Sequence, residues 1–175
     1  MKNIIILFIV VISSITTALG QKTTEHFVYE MQNSGYTYIT PKGEVNHVLT
    51  KGQAILENDF SYQLPWHDDA RVKPFQELID SGFFSKQRMH ELEKSDRTTI
   101  EVFFDETGTV SYIHFVIAPK EESLLTDNEL YQISQKYKGI IYDMTHVSVV
   151  KSETGSKTSF YAYDMFKIPF KDLKY

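Results

Sequence analysis

The stretch "TIEVFFDETGTVSYIHFVI", residues 99–117, decides the fold. Apolar and polar residues alternate from Thr99 to Phe104 and again from Val110 to Ile117. That two-residue period belongs to a strand with one buried face. Between the runs lies Asp105-Glu106-Thr107-Gly108, where Asp and Gly are turn formers, while Thr107 and Thr109 favour strands. The stretch therefore predicts a β-hairpin whose register is set by the alternation on both sides.

Downstream, Thr126-Asp127-Asn128-Glu129 has the spacing of a capping box, in which the hydroxyl and the carboxylate each satisfy an end-of-helix N–H. Leu130, Ile133 and Tyr137 form the apolar stripe of the helix that follows, and Gly139 supplies its stop. Ile140 to Lys151 predicts a strand. A turn around Gly155 follows, and Thr158 to Ile168 is expected to pair back.

Upstream, His26–Gln32 and Gly35–Thr40 read as a hairpin, and the Pro41–Glu44 turn leads to a further strand over Val45–Leu49. Ala54–Leu64 is expected to continue the sheet. The middle is helical. Pro74 suits a first helical position, Phe75, Leu78 and Ile79 share a face, and Gly82 can end the helix. Ser85 is expected to cap a second helix carrying Met89 and Leu92. The fold class is α+β: a single domain with a mainly antiparallel sheet of hairpins, about five to seven strands, and two or three helices packed on one face.

Residues 1–20 read as a signal peptide. A short Lys2-containing start precedes an apolar run from Ile4 to Ile12, and small residues before Gln21 suit cleavage after Gly20. The run is short for a spanning helix, so no stable membrane span is expected after cleavage. The expected location is periplasmic or secreted, with residues 21–175 forming the single domain. The chain has no cysteine, and its remaining length can bury a core without disulfides. Without Lys2, 17 basic residues face 23 acidic ones, mixed along the chain. Neither a nucleic-acid groove nor an anionic-membrane patch is expected from that balance.

Asp105-Glu-Thr-Gly-Thr109 differs by one residue from the Asp-Lys-Thr-Gly-Thr loop on which ion-pumping ATPases form an aspartyl phosphate. Here Glu106 replaces the Lys and would repel phosphate, and the chain is too short for the ATPase domains. The turn reading accounts for every residue.

Residues 99–142 resemble the C-terminal domain of TonB-type proteins, in which a strand ending Asp-x-x-Gly turns into a second strand, followed by an amphipathic helix and a third strand. The residues carrying the likeness include Ile100, Val102, Phe104, Asp105, Gly108, Val110, Ile113, Phe115, Leu125, Leu130 and Ile133. The resemblance implies this local topology and a binding mode, not energy transduction; strand addition at a sheet edge, or contact through an aromatic face, is the mode expected of a small exported module. It does not extend to the Pro-rich spacer of those proteins.

Trp66-His67-Asp68-Asp69 is the densest functional-looking patch. His67, Asp68 and Asp69 could serve a small hydrolase or metal-dependent enzyme as general base or ligands. Neighbours in an extended loop diverge, however, and either Asp could equally cap a helix. His114 and His146 could share a sheet face, but no third ligand has metal-site spacing. His26 and His47 read as surface or sheet positions. No phosphate cradle, no serine elbow and no thiol is present, so no metal, cofactor or convergent catalytic set is expected. Aromatics remain. Phe160 to Phe166 alternates them, and one face would present Tyr161, Tyr163 and Met165. Together with Trp66, Tyr161 and Tyr163 are the candidate ligand-binding residues, suited to a glycan or an envelope protein. The function expected is that of a non-enzymatic binding module.

Overall fold

The computed structural model describes residues 21–45, 47, 52–56, 66–143, 150–152 and 160–175. The quoted stretch forms the hairpin that its pattern predicts, with β5 (Thr99–Asp105) pairing antiparallel with β6 (Val110–Ile117). The Asp105 carboxylate accepts from the Thr107 N–H (2.9 Å) and hydroxyl (2.6 Å) and so closes the turn that Gly108, at φ +80°, completes. Asp105 is a turn former here. Phe103 opposes Tyr112 while Phe104 opposes Val110, a bulge that brings Phe104 and Val110 together on the core side.

Outward from this hairpin the sheet grows on both sides. β1 (Gln21–Thr23), β2 (Phe27–Met31) and β3 (Thr37–Pro41) form an antiparallel meander that joins β6 through β3. On the other side β5 pairs antiparallel with β8 (Phe160–Lys167). These six strands are antiparallel throughout. β4 (Gly52–Leu56) then adds parallel to β8, and β7 (Val150–Ser152) adds antiparallel to β4, giving the order β1-β2-β3-β6-β5-β8-β4-β7.

Three helices, α1 (Trp66–Asp80), α2 (Lys86–Ser95) and α3 (Asp127–Tyr137), cover one face. Their starts follow local chemistry. Ser85 Oγ accepts from the Arg88 N–H, and at α3 both halves of the Thr126–Glu129 capping box are formed. Phe75 and Leu78, Met89 and Leu92, and Leu130, Ile133 and Tyr137 descend from the three helices onto Ile100, Val102, Phe104, Ile113, Phe115 and Phe166. The α+β class and the helices on one face are as the sequence implies.

Four local expectations are corrected. Pro74 lies inside α1 rather than at its start, because the preceding Ala70-Arg71-Val72-Lys73 continues the helix back to Trp66. Of the Val45–Leu49 strand, exposed Val45 lies in no strand and His47 lies in a helical turn, while residues 46, 48 and 49 lie outside the described residues; β3 has β2 and β6 as its neighbours. β8 pairs with β5 and β4, not with the preceding strand, and β7 pairs with β4. Of the Ile140–Lys151 strand, residues 140–143 form an isolated Thr109–Ile141 bridge and no strand, Val150 and Lys151 belong to β7, and residues 144–149 lie outside the described residues, as does Gly155. Among the described residues, no helix is long and apolar enough to cross a membrane.

Candidate functional site

Alternation sends half of each strand to the face that the described helices do not cover. Register fixes which residues meet there. Glu30 lies opposite Tyr38, Glu101 lies between His114 and Met165, and Phe103 lies between Tyr112 and Tyr163. Phe103 and Tyr112 are buried here with half-buried Tyr161, in a cluster separate from the main core that holds no helix residue among the described residues. Tyr163 and Met165 remain 41% and 53% exposed.

The rings are ordered against one another. Phe103 lies 5.9 Å from Tyr163 at an interplanar angle of 31° and 6.2 Å from Tyr161 at 43°. His114 meets Phe103 (5.1 Å), Tyr38 (5.5 Å) and Tyr112 (6.0 Å) edge to face, and its Nε2 lies 2.5 Å from Glu101 Oε2. Burial first, and the Glu44 carboxylate second, push the Tyr112 hydroxyl up to about 12, so it stays a neutral donor. Two hollows open along this face. One, of about 560 Å³, includes Glu30, Tyr112 and His114; the other, of about 290 Å³, includes Glu101, Tyr161 and Tyr163. Tyr38 lines both.

The arrangement offers ring faces, hydroxyls, an imidazole and two carboxylates, a set for holding a ligand rather than for attacking one. Of the candidate residues, Tyr161 and Tyr163 are brought together here. Trp66 is not with them: it begins α1, which packs on the opposite face. His67, Asp68 and Asp69 occupy the first turn of the same helix. His146 lies outside the described residues, and the partner of His114 is Glu101. Sequence reading missed Glu30, Tyr38, Glu101, Phe103 and Tyr112. The available signal was cross-strand: in the hairpin register, Glu101 falls opposite His114.

Two polar clusters lie elsewhere. His26 is half-buried in the β1–β2 turn, not on a strand; it stacks on Tyr131 (4.0 Å) and reaches Asp127 (2.5 Å). Burial raises the Asp127 carboxyl, but bonds from Thr24 and His26 outweigh it and hold the group below its usual range. Glu25, His26 and Asp127 could bring ligand atoms within 4.8 Å of one another. Three donors with Glu25 on the surface do not complete the four of a closed zinc-type site.

The second cluster is internal. Arg71 grips Asp164 through both Nε and Nη2, Tyr142 donates to the same carboxylate (2.9 Å), and Tyr137 donates to the Arg71 carbonyl (2.6 Å). Burial foremost, with the Asp164 charge, pushes both phenols up, so they serve as fixed donors.

No family model matches the sequence, and no curated protein matches it. Among solved structures, a protein of the DUF5043 family from Bacteroides uniformis is similar at 16% identity and TM-score 0.49, over 83% of this chain and 82% of that one. At that distance the likeness says nothing of activity.

Proposed function

We propose that the protein is an exported, non-enzymatic binding module whose ligand, an envelope protein or a glycan, docks on the face of the sheet that no described helix covers. The observation that carries the reading is the joint exposure of Tyr163 and Met165 beside half-buried Tyr161 on a face that no described helix covers. Apolar side chains left on a surface in this density suit a partner that desolvates them. The sheet edges add a second contact. β1 is terminal in the strand order and its three residues are exposed, which suits strand addition there. The Tyr161→Ala/Tyr163→Ala double variant tests the face. The native protein should retain a ligand from a glycan array or from envelope extract, and the variant should lose it while keeping its fold by circular dichroism. Equal retention by both proteins would refute the reading.

A further inference from the structure

The geometry points to a basic, extended segment of a partner protein as the occupant of this face, with two arginine or lysine side chains seated at Glu30 and Glu101. The inference rests on the binding reading above and specifies its ligand. Each hollow contains one carboxylate beside aromatic rings, Glu30 in the larger and Glu101 in the smaller. Neither has a Lys or Arg partner among the described residues: Glu30 accepts from the Gln21 amide, and Glu101 pairs with His114. Lys167, on the same face beyond Met165, is held by Glu121 at 3.3 Å.

Among the described residues, the linings of the two hollows hold carboxylates and no Lys or Arg, which disfavours phosphates and acidic glycans and attracts ammonium or guanidinium. The rings reinforce that preference. A guanidinium is weakly hydrated and stacks on aromatic planes, so Tyr38 and Tyr163 complement it beside each carboxylate. Spacing argues for a polypeptide rather than a small amine. Glu30 on β2 and Glu101 on β5 are three strands apart in the order β2-β3-β6-β5, and Glu101 sits two residues from the row shared by Glu30 and Tyr38. With strands ~4.8 Å apart and residues rising ~3.3 Å, the two carboxylate positions are about 16 Å apart. That is about five residues of extended chain.

The test uses the full chain and short labelled peptides in fluorescence anisotropy. The probes are a peptide with two arginines about five positions apart, its citrulline counterpart, and neutral tetrasaccharides as competitors. The arginine peptide should bind, weaken as salt rises, and lose affinity by about tenfold in Glu30→Gln/Glu101→Gln. It should also bind more tightly than the same peptide with adjacent arginines. Equal binding of the citrulline peptide, salt independence, no binding of the arginine peptide, or binding of saccharides alone would each overturn the inference. Tyr161→Ala/Tyr163→Ala separates the two claims. If the protein binds saccharides alone and the variant abolishes that binding, the face stands and the basic ligand falls; if arginine-peptide binding survives in the variant unchanged, the face falls and the inference with it.

Discussion

At position 164 an alternating aromatic strand places a carboxylate where its register demands an apolar group. Ala162, Asp164 and Phe166 all point into the helix-covered side and are buried. An isolated carboxylate there would be expelled or neutralised, so its partners are part of the fold: Arg71 from α1 and Tyr142 from the segment after α3. Asp164→Asn keeps the shape and removes the charge, leaving the largely buried Arg71 without its counter-ion. A loss of about 3 kcal/mol in urea unfolding is expected, as for breaking a buried pair from one side. Replacing both partners by leucine should recover part of that loss, because no charge is then stranded. A deficit below about 1 kcal/mol for Asp164→Asn would show that solvent reaches the pair.

The elements differ in how far their sequences announce them. α3 was legible because its start is written in side chains, Thr126 and Glu129, that bond only in that arrangement. The β5–β6 hairpin was legible because turn chemistry and alternation agree. α1 was not, since Pro74 mimics a helix start and Asp68 and Asp69 mimic caps just before it, whereas all three lie inside the helix. β4 and β7 were obscure for another reason: their partners lie far away in the chain, and pairing of that kind leaves no local pattern. The same holds for the site, where Tyr161 and Tyr163 are visible in one strand but Glu101 with His114 emerges only once strands are aligned. Pro74 invites a test of its own. In mid-helix it removes the N–H that would bond to Ala70 and crowds that carbonyl, at about 3 kcal/mol. Pro74→Ala restores the bond, loses about 1 kcal/mol of buried ring contact, and gives up about 1 kcal/mol through a looser unfolded chain. A net gain of about 1 kcal/mol is expected in chemical denaturation. A destabilised variant would mean that the ring's packing outweighs the helix.

Over the whole molecule, two segments distant in sequence converge on the first turn of α3. Asp127 receives Thr24 and His26 from the β1–β2 turn, while Glu129 takes Arg88 of α2 through Nε (2.7 Å) and Nη2 (2.8 Å). The same Arg88 also donates to the Leu124 carbonyl just before the helix (2.6 Å). One helix end thus ties the sheet's outer meander to the helical layer, and both ties depend on an ionised carboxylate. Burial raises the Glu129 carboxyl, but Arg88 and the Thr126 groups outweigh it, so the folded value lies below the ordinary 4.5; Asp127 likewise lies below its ordinary 3.8. A depressed folded value means that the unfolded chain takes up the proton first as pH falls. The contribution is therefore complete above the unfolded value and fades as pH drops through about 4.5 toward the lower folded value. Glu129→Gln makes this measurable, because glutamine keeps the shape and does not titrate. Unfolding free energies of the two proteins should differ at neutral pH by about 1–3 kcal/mol, the range of a hydrogen-bonded charge. The gap should then close on acidification as the native carboxylate loses its advantage. A gap that stays constant down the carboxylate range would mean that Glu129 acts through packing alone, and that the helix end does not couple the layers by charge.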